Sequence, residues 1–268
     1  MTLSPFESFP RATAQALHTV WTDIDDTLSL HGRLPAAAYG ALERLQAVGL
    51  RVIPVTGRPA GWCDHIARFW PVDGVIGENG AFYMWHDAQA RVLRSRHWLT
   101  PVQQVQARQG LVEVQARILR EVPGCAVASD QFCRLYDLAI DFCEDVPALP
   151  AIAVDRIAAL MQEAGMTAKV SSIHVNGWFG DWDKLAMARL MLTERYGLDF
   201  NQEAQHMVFV GDSPNDAPMF AAFPHAVGVA NVRDCLDRLT HRPKWVTQAS
   251  GGLGFVEFVD RLLALREV

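Results

Sequence analysis

Three carboxylates and a hydroxyl lie together in Asp23-Ile24-Asp25-Asp26-Thr27, directly after the short run Thr19-Val20-Trp21. If that run is a strand, residues two apart point the same way, and Asp23 and Asp25 project together where the strand opens into a loop. Carboxylates held that close repel each other, so the pair invites a proton or a cation. The stretch is equally readable as an acidic turn capping the next helix, because Asp and Thr are good turn and N-cap residues. Three further polar clusters end apolar runs: Thr56-Gly57-Arg58 after Arg51–Val55, Gly77–Gly80 after Val75-Ile76, and Gly211-Asp212-Ser213-Pro214-Asn215-Asp216 after Met207–Val210. No single cluster is specific; their order and placement are.

The elements that must hold these clusters follow from the pattern. Arg51–Val55 is apolar without alternation, as a strand covered on both faces would be, and Met207–Val210 reads the same way. A helix is expected after Pro35, with Leu42, Leu45 and Val48 at helical spacing and Gly49 as its stop. Another spans 61–69, and a third strand covers 74–76. Strand, helix, strand, helix, strand is the signature of a parallel α/β sheet. Residues 1–17 read as a loose arm or short helix.

The pattern changes in the middle: a hairpin within 81–99, a helix over 101–121, an alternating strand over 133–142, a helix over 151–164 and a strand over 167–176. Parallel-type units resume with a helix over 183–196, strands near 207–210, 226–229 and 244–247, and a closing helix. The expected fold class is therefore α/β, a doubly wound parallel sheet, with 1–83 and 179–268 as the core and 84–178 as an inserted α+β domain. In open parallel sheets, ligands bind beyond the carboxyl ends of the strands, where all four clusters fall.

Bulk properties narrow the class. The chain has 268 residues, half of them hydrophobic, and a formal charge of −6. No long basic run provides the footprint of a nucleic-acid binder. No apolar run approaches the ~20 residues of a membrane span, and Met1–Arg11 lacks the form of a signal peptide. Five cysteines without C-x-x-C spacing point to free thiols in a reducing cytoplasm rather than disulfides or a zinc site.

Taken in order, the clusters resemble the four motifs of the haloacid dehalogenase (HAD) superfamily. Asp23-Ile24-Asp25-Asp26-Thr27 matches the Asp-x-Asp-x-Thr motif; Thr56 matches the hydroxyl that ends the second strand. Lys184 in Gly-Asp-Trp-Asp-Lys matches the lysine opening a helix, and Gly211–Asp216 matches Gly-Asp-x-x-x-Asp. An insertion between the second and third motifs, preceded by Glu78-Asn79-Gly80-Ala81, resembles subclass IIB. Asp26 replaces the usual glycine of the first motif; a left-handed backbone there is one that Asp tolerates better than most residues.

The resemblance implies a magnesium-dependent phosphatase of small phosphorylated metabolites, chiefly sugar phosphates such as those of trehalose, sucrose or mannosylglycerate. It implies Asp23 as nucleophile and Asp25 as acid and base, with Asp23, the Asp25 carbonyl and Asp212 as magnesium ligands supported by Asn215 and Asp216. Thr56 and Lys184 would hold the phosphoryl group, with Gly57, Arg58 and Asn79 beside it. A phosphomutase, or a catalytically silent binding protein on the same scaffold, is the alternative.

In the insertion, His174 and Asn176 share a strand face with Ser172 and would meet sugar hydroxyls if that face looks at the core. Asp137 and Asp141 are weaker candidates, Arg134 reads as a surface arginine, and Trp178 and Trp182 could line the cleft. Oligomeric state, monomer or dimer, is not legible.

Overall fold

The computed structural model describes residues 3–171 and 173–267. Its centre is a parallel six-stranded sheet in the spatial order Ser4–Pro5, Trp245–Val246, Ala226–Gly228, Met207–Gly211, Thr19–Thr22, Arg51–Pro54. Val75–Gly77 continues it through a parallel bridge between Val55 and Ile76.

Each central strand is buried on both faces and feeds two cores. Val20, Val52 and Val208 pack with Leu42, Leu45, Ile66, Phe255 and Phe258 from helices Ala36–Ala47, Ala60–Phe69 and Gly251–Arg266. Their neighbours Trp21, Ile53 and Phe209 pack with Met187, Met191 and Phe220 from helices Lys184–Tyr196 and Ala217–Ala222 on the other side. Helices on both faces make the sheet doubly wound, and burial on both faces explains the unbroken apolar runs. Chain direction reverses between Thr19–Thr22 and Met207–Gly211: the chain steps from the first to Arg51–Pro54 on one side and from the second to Ala226–Gly228 on the other. Such a switch point opens a crevice at the carboxyl ends of its two strands.

Of the two readings of the first residues, the short helix holds, at Arg11–Ala16, and the loose arm does not. Ser4–Pro5 pairs with Trp245–Val246 as the sheet edge, and Phe6 and Phe9 are buried against Phe258 and Trp245. These two aromatic side chains anchor the segment ahead of that helix.

The insertion carries a four-stranded antiparallel sheet in the order Ala126–Val127, Asp137–Asp141, His174–Trp178, Thr167–Val170. Helices Pro101–Glu121 and Ala151–Glu163 cover one face, packing Ile118, Ile157 and Leu160 onto Leu138, Ile140 and Val175. The first helix is closed at its start by a capping box between Thr100 and Gln103. Three expectations need correcting. The strand expected over 133–142 begins only at Asp137, because Gln131–Cys133 forms a 3-10 turn. The strand expected over 167–176 is a hairpin, Thr167–Val170 and His174–Trp178. Ser171 closes its turn, its hydroxyl accepting from the His174 amide at 3.0 Å. Finally, the hairpin Phe82–Asp87 and Val92–His97 does not open the inserted sheet but pairs with Val75–Gly77. Its Tyr83 belongs to the same core as Met187 and Met191. We propose a boundary near residue 100 rather than 84 for this reason.

Candidate active site

Asp23 and Asp212 leave the ends of the two strands that flank the switch point, with Val210 O accepting the Asp23 amide at 2.9 Å. Asp216 sits on the 3-10 turn that follows Asp212, and its Oδ2 accepts the Asp212 amide at 3.0 Å. The carboxylates of Asp23, Asp212 and Asp216 are all buried and lie within 4.8 Å of one another. Lys184 reaches in from the start of its helix, donating from Nζ to Asp23 Oδ1 and Asp216 Oδ1 at 2.7 Å each.

The lysine is placed by a strained turn. Glu78, Asn79 and Gly80 have φ of +44°, +55° and +108° in succession. A Cβ on Gly80 would lie 2.1 Å from the Asp183 carbonyl, so only glycine lets this loop press against the start of the Lys184 helix. Asp26 also has φ of +54°, the left-handed backbone at which the usual glycine of this motif is replaced.

Electrostatics set the cluster's chemistry. Burial pushes Asp23 up to about 8; Lys184 opposes the shift, and Asp216 and Asp25 add to it. Burial, then Asp216 and Asp23, holds Asp212 well above the usual carboxylate range. Burial would lower Lys184, but Asp216 and Asp23 outweigh it and the group stays an ammonium. One ammonium thus faces three carboxylates, and the all-oxygen donor set fits a hard divalent cation such as magnesium. Thr27 Oγ1 donates to Asp212 Oδ1 at 3.1 Å and Asn231 Nδ2 to Asp212 Oδ2 at 3.0 Å, fixing that carboxylate.

Asp25 faces a different partner. Arg58 grips it with Nε 2.9 Å from Oδ1 and Nη2 2.8 Å from the same oxygen. Arg58 also lies 3.7 Å from Asp130 and 3.6 Å from Glu144 of the insertion. Thr56 is fully buried, its Oγ1 accepting the Arg58 amide at 3.0 Å, which leaves the hydroxyl hydrogen free to donate.

The polar face of the inserted sheet does look at the core. Asp23, Asp25, Arg58, Asn79, His174 and Asn176 line one cavity of about 30 Å³, closed further by Gly57, Arg134, Asp212 and Asn215. Thr56 and Lys184 do not line it; each is buried behind residues that do. A cleft of about 830 Å³ adjoins the cavity, sharing Ser171, Asp212 and Ser213 with it. Ser172 lies outside the described residues.

Other expectations change. Arg134 is buried rather than on the surface: its Nη1 donates to Asp137 at 3.1 Å and to the Gly57 carbonyl of the core at 3.0 Å. Asn176 Nδ2 donates to Asp137 Oδ2 at 2.9 Å, so Asp137 serves the cavity wall. Asp141 is turned to its own loop, accepting the amides of Cys143, Glu144 and Asp145. Trp178 and Trp182 stack on each other, fully buried, and do not line the cavity.

Sequence reasoning missed Asn231, Glu144 and Glu78. Asn231 follows the Ala226–Gly228 strand at the same sheet edge as the other clusters, a signal that could have found it. Glu144 sits 2.9 Å from His174 Nε2, a pairing that only the fold creates. Glu78 accepts the amides of Ala60 in the core and of Leu135, Tyr136 and Asp137 in the insertion, at 2.6–3.2 Å.

With this geometry in place, comparison with known proteins is decisive. Residues 20–109 match the family of haloacid dehalogenase-like hydrolases. Over 246 residues the chain is 30% identical to the phosphoglycolate phosphatase of Pyrobaculum neutrophilum, covering 90% of this chain and 94% of that protein. The chain belongs to the haloacid dehalogenase-like hydrolases. Within them it is a phosphatase, and its fold is shared with the subclass IIB sugar phosphatase BT4131 (TM-score 0.58, 14% identity, 86% of this chain and 93% of that one). Its fold is shared with a Thermoplasma acidophilum protein (TM-score 0.71, 18% identity, 92% of this chain and 98% of that one). It is also shared with the sucrose-phosphatase of Synechocystis (TM-score 0.63, 15% identity, 92% and 98%). Among the described residues, no helix is long and apolar enough to cross a membrane.

Proposed function

We propose that this HAD hydrolase is a magnesium-dependent phosphomonoesterase of a small phosphorylated metabolite, a sugar phosphate being the favoured class. The observation that carries this reading is the shared cavity: Asp23 and Asp25 face His174 and Asn176 across a space of about 30 Å³. Sugar-type leaving groups would extend into the adjoining cleft of about 830 Å³, whose size suits a small ligand.

In this reading Asp23 Oδ attacks phosphorus, and the ester P–O bond breaks with its electrons on the leaving oxygen. Asp25 gives that oxygen a proton, then takes one from the water that cleaves the aspartyl-phosphate, returning Asp23 and releasing phosphate. Gly57, Arg58 and Asn79 line the space for the phosphoryl oxygens, and the Thr56 hydroxyl and the Lys184 ammonium, buried just behind that lining, would hold those oxygens once the side chains between them shift on binding. Magnesium, held by Asp23, the Asp25 carbonyl and Asp212 with Asn215 and Asp216 in support, would supply positive charge for those oxygens. Arg58 has to exchange part of its grip on Asp25 for the incoming phosphate. His174 and Asn176 meet the substrate's hydroxyls. The free thiols of Cys63, Cys125, Cys133 and Cys235 suit a reducing cytoplasm.

The test is phosphate release over a panel of sugar phosphates and of short phosphorylated acids such as phosphoglycolate, with and without magnesium. Hydrolysis of sugar phosphates that chelation abolishes supports the proposal. Isomerised sugar phosphate without free phosphate would mark a mutase and sink it.

A further inference from the structure

On the opposite edge of the sheet from the catalytic cluster, His18, Glu203 and His206 bring three ligand atoms within 4.8 Å of one another. We propose that this trio binds a borderline transition-metal ion, zinc or cobalt, as a structural site separate from the magnesium site.

Its geometry has the right scale. Glu203 Oε2 lies 2.8 Å from His18 Nε2 and 3.5 Å from His206 Nδ1. Tetrahedral zinc with bonds of about 2.0–2.1 Å puts its donor atoms about 3.3 Å apart, between those two values. The ring of His18 is already oriented: its Nδ1 is 2.8 Å from Thr19 Oγ1, which leaves Nε2 aimed at Glu203. A hydrogen bond on the far nitrogen is the outer-shell arrangement that ligating histidines use. The backbone is locked as well, since the His18 amide donates to the His206 carbonyl at 2.9 Å. Side-chain exposures of 33%, 25% and 46% leave an entry path and room for water as a fourth ligand.

Position gives the site its role. His18 immediately precedes the Thr19–Thr22 strand and His206 immediately precedes the Met207–Gly211 strand. Those strands carry Asp23 and Asp212 at their other ends, five and six residues on and so about 16–20 Å away. An ion here would tie together the amino ends of the two strands that supply the catalytic carboxylates. Two imidazoles and one carboxylate favour zinc or cobalt, whereas magnesium prefers oxygen ligands alone, so the two sites would sort their metals by chemistry.

Chelator-treated protein kept in excess magnesium is titrated with cobalt, followed by visible absorption, and with zinc, followed by calorimetry and thermal melting. The expected result is one equivalent bound with a nitrogen-ligated cobalt spectrum. Zinc at a hundredfold excess over its Kd should raise Tm by about 5 °C. His206→Ala, at an exposed position, and Glu203→Gln should abolish both signals while leaving magnesium-supported phosphate release unchanged. Thr19→Val should weaken binding about tenfold. Equal binding by wild type and His206→Ala, or no cobalt uptake by the wild type, would overturn the proposal. So would binding that Asp212→Asn removes and His206→Ala leaves intact, because the ion would then sit in the catalytic cluster.

Discussion

One buried group of carboxylates borders the cavity and a second stands behind its wall, and their charges are balanced differently. In the core, Asp23, Asp212 and Asp216 share one ammonium, Lys184. In the contact between core and insertion, Glu78 accepts four backbone amides, and Asp137 is met by Arg134 and Asn176. The second group is internally satisfied and shapes the wall. The first has donors left over for a cation and a phosphoryl group. Buried charge is tolerated where it is matched, so a mismatch of this size marks the place where chemistry is done.

The strongest way to break this comparison is Asp23→Asn. Phosphate release should fall by at least about 10³-fold while the fold is kept, because the variant removes the proposed nucleophile without removing volume. Full retained release would sink the mechanism.

Lys184→Met attacks the balance itself. It leaves Asp23 and Asp216 buried together without their cation, and stability should drop by about 3–5 kcal/mol in a urea titration of metal-free protein. A loss under about 1 kcal/mol would show that the ammonium is not what holds the cluster.

Glu78→Gln tests the satisfied group. Gln keeps one acceptor oxygen but turns an NH2 toward amides that can only donate. We expect about 1–3 kcal/mol of destabilisation, together with a raised KM, since Glu78 ties the insertion to the core. Unchanged stability and KM would mean that Glu78 is not the tie.

Burial raises Glu78 to about 8 as well as Asp23, so the two groups share a pH window and should differ only in how magnesium affects them. Burial raises Asp23 from 3.8 to about 8, so across that window the folded chain holds a proton that the unfolded chain has released. Metal-free stability should therefore fall as pH rises from about 4 to about 8 on account of Asp23. Magnesium, by taking the proton's place, should flatten that slope. Urea midpoints against pH with and without magnesium measure it, and a slope indifferent to magnesium would remove the cluster's assignment as a cation site.

The smallest effect is expected at the wall. His174→Ala should change preference among sugar phosphates while altering hydrolysis of a small aryl phosphate by less than about tenfold. A collapse of both activities would place His174 in the chemistry rather than in selection.

Much of the first group is legible in the amino-acid sequence. Asp23, Asp25, Asp212 and Asp216 sit at strand ends, and a strand end is marked locally by an apolar run breaking into polar residues. Lys184 is legible only through the family pattern, since a lysine opening a helix is ordinary and its partners lie 161 and 32 residues away. The second group is largely illegible. Arg134 reads as a surface residue because nothing near it in sequence announces that Gly57 and Asp137 will enclose it. The turn that splits residues 167–176 is hidden too, because it rests on one serine hydroxyl rather than on Gly or Pro.

The sequence by itself therefore determined the doubly wound sheet, the inserted α+β unit and the carboxylates at the strand ends, since hydrophobic periodicity and strand-end chemistry are local properties. Only the tertiary structure decided which carboxylates are matched. It paired Arg58 with Asp25, set Glu144 beside His174, and brought Glu78 under the insertion's amides. Charge balance depends on distances between residues far apart in the chain, and those distances exist only once the chain has folded.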